Sequence, residues 1–366
     1  MKNQLKGILT AVAVAFFVVS CKDNDNPEPA KGEYAEGVIV INGGNFSQNN
    51  GTFSFLRREG KTVTENIYNL ANGQASLPPE DGRTEGYAEA GETGIVLFDH
   101  STVGMDKVVF VNASTFEKKS ELAAPAIENP RDVVAVNEKK AYVTNWDSFN
   151  PDWSYKDGFI TVVNPESGAN IKKINVGQGP ENMVLHQKKV YVGRTSWTSN
   201  KLTIVNTDTD EVVKSLEFDS SPGTIGVDAG GKLWVKEGNR LHRINTSTDQ
   251  VEATLEAGND ATKSIGTATL TADGQNIIFV LSQFDANYNE VGSTYLFNTS
   301  SSSIQVGTPV INRVFSALAA DPVTKVIYGG VTPSFTQAGY VLRVSPLGVL
   351  QDSVKVEIGP EGFFFK

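Results

Sequence analysis

The sequence predicts an all-β fold, a seven-bladed β-propeller, from a regular strand repeat and from chain ends that complement each other. A unit of about 43 residues recurs along the chain, and each copy contains short apolar strands separated by turns. The clearest copies open at Asn129-Pro130 and at Gly179-Pro180. Four short strands in each repeat is the pattern of a propeller blade.

The repeat gives seven blade starts, of which the first is degenerate. They fall near Gly86, Pro130, Pro180, Pro222, Ile265, Ala317 and Pro360. The segment 37–42 reads as a second strand without a first, whereas the last copy contains a single strand. We therefore expect residues 363–365 to pair with residues 37–42, so that the C-terminal strand closes the N-terminal blade and leaves no free edge. A stack of β-sandwiches is the alternative, and it does not account for the complementary ends.

The strands and turns have the chemistry that such blades require. Tyr, Val, Ile, Thr and Phe dominate the strands, with partial alternation of apolar and polar residues. Asp157-Gly158 and Asp273-Gly274 are typical of hairpin turns, because these residues tolerate a positive φ. No long amphipathic helix is expected after residue 30.

Residues 1–20 predict a lipoprotein signal peptide. Lys2 and Lys6 precede an apolar stretch, residues 8–19, that is short for a bilayer span. It ends in Val18-Val19-Ser20-Cys21, which resembles a bacterial lipobox and implies cleavage before Cys21 and lipidation of that residue. Cys21 is the only cysteine in the chain, so no intramolecular disulfide can form. An ordinary buried cysteine is the alternative.

Residues 21–35 are polar, acidic and proline-containing, so we expect a flexible tether, with the propeller spanning residues 36–366. The acid-rich stretch after Cys21 resembles that of surface-exported Bacteroidetes lipoproteins, and a plain periplasmic linker is the alternative. These features predict an outer membrane lipoprotein, exposed at the cell surface and held to the membrane through its lipid anchor only.

The charge of the chain disfavours a nucleic-acid partner. The formal net charge is −10, and removing Lys2 and Lys6 with the signal peptide leaves −10 − 2 = −12. No segment carries a basic cluster, whereas a nucleic-acid binder needs a positive field against phosphate.

The catalytic inventory is poor, so we expect no enzyme, no cofactor and no metal site. The three histidines fall in different blades, and no nucleophile elbow or metal-binding motif is present. Asp132, Glu181 and Glu361 occupy equivalent or adjacent turn positions and could converge in the central channel. The role favoured for them is hydrogen bonding to backbone N–H groups between blades.

The informative residues lie in the loops between the second and third strand of each blade, which the repeat places on one face. These loops hold three of the four tryptophans, with Asn, Ser, Thr and Arg between them. Large aromatic side chains in polar loops indicate a binding surface, unless each packs on its own blade tip. The predicted ligand-binding residues are Phe46, Asn145, Trp146, Phe149, Trp153, Tyr155, Arg194, Trp197, Phe284, Tyr288 and Phe335.

The chain resembles a known repeat family. Tyr142-Val143-Thr144-Asn145 is the tetrapeptide that names the YVTN family of β-propeller repeats, and Gly179-Pro180-Glu181 with Val190-Tyr191-Val192 is similar to YncE-type propellers. Together with the lipobox, this implies a Bacteroidetes surface lipoprotein of the kind represented by the BtuG group. That group captures cobalamin and passes it to a TonB-dependent outer-membrane transporter.

The resemblance therefore implies capture of a bulky nutrient, with cobalamin or another corrinoid as the ligand and a TonB-dependent transporter as the partner. No motif carries specificity for cobalamin, so the binding residues given above depend on the loop argument alone. Two alternatives stay open: an adhesion propeller that binds protein or glycan, and a lactonase-type hydrolase.

Overall fold

A computed structural model of the protein describes residues 32–74, 79–195 and 197–366. The predicted signal peptide, Cys21 and residues 21–31 of the predicted tether lie outside these residues. Gly32–Lys366 forms one compact unit. Its described strands form seven antiparallel sheets, which confirms the predicted seven-bladed propeller.

The strands follow the predicted repeat, and we number the blades from the N-terminus. Blade 1 begins with β1 (Val38–Asn42), β2 (Thr52–Leu56) and β3 (Val63–Thr64). Blade 2 contains β4 (Arg83–Ala90), β5 (Thr93–Asp99), β6 (Lys107–Asn112) and β7 (Lys118–Ala123). Blade 3 contains β8 (Pro130–Asn137), β9 (Lys140–Asn145), β10 (Gly158–Asn164) and β11 (Ala169–Gly177). Blade 4 contains β12 (Pro180–His186), β13 (Lys189–Arg194), β14 (Lys201–Asn206) and β15 (Glu211–Glu217).

The remaining blades complete the ring. Blade 5 contains β16 (Gly223–Val227), β17 (Lys232–Glu237), β18 (Arg240–Asn245) and β19 (Gln250–Glu256). Blade 6 contains β20 (Ser264–Leu270), β21 (Asn276–Phe284) and β22 (Glu290–Asn298). Blade 7 contains β23 (Ala317–Ala320), β24 (Ile327–Val331), β25 (Ala338–Val344) and β26 (Leu350–Ile358), and the chain ends with β27 (Pro360–Phe365).

The last strand closes the ring as predicted. β27 pairs antiparallel with β1, with Val38 opposite Phe365 and Val40 opposite Phe363. It thereby becomes the inner strand of blade 1, and the inner strands of neighbouring blades contact one another around the whole ring. Because the first and last segments share one sheet, neither leaves a free edge at the join.

Blade 6 departs from the four-strand expectation. Among the described residues its sheet has three strands, and the segment after β22 meets β22 through a single bridge between Thr294 and Ile311. Ile304 packs into the core in place of a fourth strand. The segment contains a run of serines, residues 300–303, and Pro309, which have low strand propensity or lack a backbone donor.

A short helix was also not predicted. α1 (Ile67–Ala71) follows β3, and Asn66 caps it by accepting from the Asn69 N–H. Ile67 and Tyr68 are buried against the core shared by blades 1 and 2. In the part of the chain that the structure describes, no helix has the length and apolarity needed to cross a bilayer.

The blades are tied to one another by a repeated polar clamp. In blade 3, Tyr142 donates its hydroxyl hydrogen to Asp210 of blade 4, and Lys140 pairs with the same carboxylate at 2.9 Å. In blade 4, Tyr191 donates to Asp249 of blade 5 at 3.0 Å. Since buried tyrosine hydroxyls need a partner, the clamp fixes the spacing of consecutive blades.

Residues just before position 36 also pack against the first blade. Tyr34, which the sequence analysis places in the tether, is buried with its ring 5.3 Å from that of Phe55 and 6.0 Å from that of Phe116. Its backbone N–H donates to the Ser114 carbonyl. The compact unit therefore includes residues 32–35, because an aromatic residue in a polar segment can still reach the core.

Candidate functional site

The loops between second and third strands share one face, here called the loop face. The strands of each blade alternate in direction, so these loops lie at the same end as the starts of the inner strands. The loops run between β1 and β2, β5 and β6, β9 and β10, β13 and β14, β17 and β18, β21 and β22, and β24 and β25. All eleven predicted binding residues belong to these loops or to the adjoining strand ends.

Six of the predicted aromatic residues are exposed on the loop face. Trp197 is 97% exposed, Tyr288 88% and Trp153 81%. Phe284, Phe335 and Phe46 are exposed to a smaller extent. Side chains of this size stay in water only at an energetic cost, so their presence together on one face favours a binding role.

The three most exposed aromatic residues also have an unfavourable backbone. Trp153, Trp197 and Tyr288 have φ values of 65°, 66° and 63°. This left-handed region costs a residue with a side chain about 1–2 kcal/mol relative to its ordinary conformation. Backbone strain of this kind clusters at functional sites, where a side chain must be presented in one direction.

Two of these residues occupy the same place in a tight turn. The Trp153 N–H donates to the Asn150 carbonyl at 2.9 Å, and the Tyr288 N–H donates to the Asp285 carbonyl at 3.0 Å. Each aromatic residue therefore stands at the turn position where glycine would relieve the strain. The sequence gives no sign of this, because neither turn contains a glycine to mark the positive φ.

The loop of blade 3 brings four predicted residues together. The ring centroids of Trp146 and Tyr155 are 5.4 Å apart, and those of Phe149 and Tyr155 are 5.1 Å apart. Phe149 also lies 6.4 Å from Trp153. These contacts leave Trp146, Phe149 and Tyr155 half-buried, and they support Trp153 at the tip.

Asn145 does not face the surface, contrary to the sequence prediction. It is fully buried at the end of β9, where its amide donates to the Val143 carbonyl at 2.9 Å and to Thr161 Oγ1 at 3.2 Å. Its side-chain oxygen accepts from the Glu128 N–H at 3.0 Å. Because its hydrogen-bonding groups are engaged in holding β9 to its neighbours, Asn145 has a structural role.

Arg194, at the equivalent end of β13, is also buried. Its guanidinium donates to the Val176 carbonyl and to Thr203 Oγ1, both at 2.5 Å, and to the Gly193 carbonyl at 3.2 Å. Burial lowers the pKa of Arg194 to about 10. Its partners are all neutral, so its charge is not balanced by them.

Two depressions open on the loop face. The cleft between blades 6 and 7 has a volume of about 1020 Å³, and Tyr288, Phe315 and Phe335 are among its lining residues. The pocket between blades 4 and 5 has a volume of about 700 Å³, and its lining includes Arg194 and Trp197. The predicted residues are therefore divided among two depressions and the blade 3 loop.

A group of buried charges at the channel mouth was only partly anticipated. This channel cluster consists of Arg83, Glu85, Asp99, Arg131, Glu181 and Glu361. The Arg131 guanidinium lies 2.9 Å from the Glu85 carboxylate and 3.4 Å from those of Asp99 and Glu181. Arg83 lies 2.8 Å from Glu85 and also pairs with Glu361.

Backbone bulges explain why these side chains meet. The strand register shifts between Thr84 and Gly86, and again between Pro130 and Asp132, which leaves Glu85 and Arg131 as the bulged residues. A bulge redirects a side chain away from the alternation of the strand. The repeat carries the signal, because Glu85, Arg131, Glu181 and Glu361 all lie just after an inner-strand turn.

Burial raises the pKa of two carboxyl groups in the channel cluster. It raises the pKa of Glu85 to about 8, against the opposing effect of Arg131 and Arg83. Burial likewise raises the pKa of Asp99 to about 7. The two arginines partly offset the cost of holding these carboxyl groups out of water.

The three carboxylates singled out from the sequence have different roles. Asp132 accepts a hydrogen bond from the Met183 N–H of the next blade at 2.6 Å, which confirms the favoured backbone role. Glu181 and Glu361 instead pair with arginines of the channel cluster. Among the described residues, no group of three or more His, Cys, Asp and Glu side chains is arranged to hold a metal ion.

Trp146 joins the loop face to the channel cluster. Its indole N–H donates to Glu181 Oε2 at 2.9 Å, and the Arg131 guanidinium carbon lies 4.2 Å from the centroid of its ring. The cation–π contact and the hydrogen bond hold the indole in one orientation. The aromatic surface of blade 3 therefore stands on a rigid polar base.

Comparison with known proteins gives a family and a fold. A family model described as a domain of unknown function (DUF5074) matches residues 36–347. No curated protein matches the chain in sequence.

Solved structures with a similar fold include three propeller proteins. A quinonprotein alcohol dehydrogenase-like protein from Bacteroides thetaiotaomicron has a TM-score of 0.65 at 15% identity, over 91% of this chain and 78% of that one. A candidate 6-phosphogluconolactonase from Bacteroides fragilis has a TM-score of 0.58 at 12% identity, over 91% and 99%. Hydrazine synthase from Kuenenia stuttgartiensis has a TM-score of 0.58 at 17% identity, over 76% and 88%. At these identities the likeness shows the fold alone.

Proposed function

The chain belongs to the DUF5074 family of unassigned function, and from this premise we propose that it is a ligand-capturing propeller rather than an enzyme. Its loop face binds a bulky nutrient, with cobalamin or another corrinoid as the leading ligand. As a surface lipoprotein of the outer membrane, it passes the ligand to a TonB-dependent transporter.

The observation that carries the binding role is the strained presentation of Trp153, Trp197 and Tyr288. Each is exposed, and each has a backbone that a glycine would adopt at lower energy. Exposed aromatic residues with a strained backbone do not stabilise the fold in the absence of a ligand. Aromatic anchors concentrate binding energy and lose little side-chain entropy, so they suit a surface that captures a ligand.

The ion pairs of the channel cluster favour a structural role over a catalytic one. Its carboxyl groups are held by Arg83 and Arg131, and the Glu181 carboxylate also accepts from Trp146. A general acid or base needs a carboxyl group within reach of substrate. Here the groups with the most raised pKa values, Glu85 and Asp99, both lie within 3.4 Å of Arg131, so we assign them to ring closure.

The corrinoid assignment draws on the size and chemistry of the loop face. A broad ligand with a planar core can contact aromatic residues from several blades without entering one deep cavity. The resemblance to the BtuG group names cobalamin, and the Trp153 and Trp197 loops of adjacent blades 3 and 4 supply stacking surfaces. The lipobox at Cys21 supports the membrane location.

The binding proposal is tested with the double variant Trp153→Ala/Trp197→Ala and cyanocobalamin as the probe. Each aromatic anchor is worth about 2 kcal/mol or more, so losing one weakens binding roughly thirtyfold, and losing both should remove measurable binding. Affinity is measured by isothermal titration calorimetry, with thermal unfolding as the check on folding. The melting temperature should stay within a few degrees of the wild type.

The matched control is the double variant Val323→Ala/Leu347→Ala, which removes two exposed apolar side chains from turns on the opposite face. It should bind cyanocobalamin like the wild type. Equal loss in both variants would refute the loop-face assignment. A wild-type protein that ignores cyanocobalamin would refute the corrinoid assignment, and a glycan array would then test the adhesion alternative.

The anchoring proposal is tested separately with Cys21→Ala. Attachment through lipid alone predicts that this variant moves from the membrane fraction to the soluble fraction, because the propeller itself adds no bilayer contact. The measurement is immunoblotting after cell fractionation. A variant that remains fully in the membrane fraction would show that the lipoprotein assignment is mistaken.

A further inference from the structure

The pocket between blades 4 and 5 contains a lysine in an unusual position. Lys236 is the penultimate residue of the second strand of blade 5, β17, and its stem crosses the inner strand at Gly223. A β-carbon at Gly223 would lie 2.9 Å from Lys236 Cε and 3.2 Å from its Cγ. The missing side chain at Gly223 therefore makes the space through which Lys236 passes.

The ammonium group of Lys236 has a neutral partner. It donates to the Gly266 carbonyl of blade 6. Among the described residues, no carboxylate lies within 4.0 Å of it, although Glu181 and Glu290 stand at longer range. Burial lowers the pKa of Lys236 to about 8. Charged groups are normally paired when they leave water, so this arrangement is costly as it stands.

The acids of the same pocket already have partners. Glu181 pairs with Arg131 at 3.4 Å, and Asp219 pairs with Arg240 at 2.8 Å. Glu237 accepts from the Ser220 backbone N–H and lies 2.9 Å from His242 Nε2. None of these carboxylates is within ion-pair distance of Lys236 in the described structure.

Arg194 also lines this pocket, but its guanidinium is directed away from it. It donates to the Val176 carbonyl of blade 3 and to Thr203 Oγ1, neither of which lines the pocket. Lys236 is therefore the cation that a ligand in this pocket would meet.

We propose that this pocket is an anion subsite, in which Lys236 holds a carboxylate or phosphate oxygen of the ligand and Trp197 stacks on the planar group that carries it. The placement of the ligand on the loop face rests on the proposed function, whereas the charge balance of the pocket stands independently of it. The ligand class is a planar organic anion. The half-buried ammonium of Lys236 makes a stronger contact with an anion than a fully exposed lysine would, because the pocket walls limit screening by water.

The test uses phenyl phosphate and benzoate as probes, with benzamide as a neutral analogue of similar shape. Calorimetry should show that the wild type binds both anions at least tenfold more tightly than benzamide. Lys236→Met removes the charge and keeps the length of the stem, and it should weaken binding of both anions at least tenfold. Binding of benzamide should not change.

Three variants sharpen the result. Lys236→Arg keeps the charge and should retain most of the affinity for the anions. Gly223→Ala leaves Lys236 in the chain but displaces its stem, so it should weaken anion binding. Lys232→Met, on the same strand but paired with Glu252 at 2.9 Å, is the matched control and should have no effect.

Two outcomes would overturn the proposal: a wild type with no preference for anions over benzamide, or a Lys236→Met variant that binds phenyl phosphate like the wild type. If Lys236→Met does not fold, reductive ¹³C-methylation of the wild type, assigned with Lys236→Arg, replaces it. The Lys236 methyl resonance should shift on addition of phenyl phosphate, and an unmoved resonance would refute the subsite. Since these probes contain no corrin ring, failure here is distinguishable from failure to bind cyanocobalamin.

Discussion

The two sides of the channel mouth differ at one repeated position. Just after the inner-strand turn, blades 1 to 4 carry Glu361, Glu85, Arg131 and Glu181, whereas blades 5 and 6 carry Gly223 and Gly266. On the first side the charges pair with one another and with Arg83. On the second side, Lys236 crosses the space beside Gly223 and has no carboxylate within 4.0 Å among the described residues.

This difference separates closure of the ring from access for a ligand. In the channel cluster the charged groups pair with one another, and these ion pairs stiffen the mouth. At the same repeat position, Gly223 has no side chain and leaves space for a pocket. Lys236 enters this space and can still donate to a ligand. The same backbone position therefore has a structural role in one half of the propeller and a proposed binding role in the other.

Among the variants that test this comparison, Arg131→Met should lower the free energy of unfolding the most. It leaves Glu85 and Asp99 buried without their shared cation, and breaking a buried ion pair in this way costs about 3–5 kcal/mol. Lys236→Met removes a cation that has no carboxylate partner and is costly to hold out of water, so the free energy of unfolding should not fall. Urea unfolding of the two variants at pH 9, above the pKa of about 8 for Glu85 and of about 7 for Asp99, measures both values.

The contrast between these methionine variants matters more than either value. Equal destabilisation would mean that the two halves of the mouth are built alike, and the closure assignment would fail. If Arg131→Met lost little stability, the channel carboxylates would have no structural role. The hydrolase alternative would then have to be tested.

The fold could be predicted from the sequence because its cause is local and repeated. A proline or glycine turn precedes each inner strand, β-branched residues fill the strands, and the ends of the chain each lack what the other has. Blade 6 and α1 could not be predicted in this way, because they depend on what Ile304, Ile67 and Tyr68 find to pack against rather than on the repeat.

The candidate site was less accessible to sequence reasoning. Asn145 and Arg194 look like loop residues in the sequence, yet each ends a second strand and donates to a threonine of the third, Thr161 or Thr203. The charges of Glu85 and Arg131 converge because bulges turn them inward, and a bulge changes the register by one residue without a sequence marker. Spacing alone therefore placed the loops correctly but not the orientation of their side chains.

The smallest expected effect concerns the strained aromatic residues and compares Trp153→Gly with Trp153→Ala. Both variants lose the indole, so both should lose the same affinity for cyanocobalamin. They differ in the backbone: at a φ of 65° glycine is favoured, and Trp153→Gly should be more stable than Trp153→Ala by about 1 kcal/mol in urea unfolding. The control is Phe149 in the same loop, whose φ is not positive and where glycine should be less stable than alanine by about 0.5–1 kcal/mol. If Trp153→Gly were the less stable variant, the tip would be unstrained, and the main argument that the loop face exists to hold a ligand would be lost.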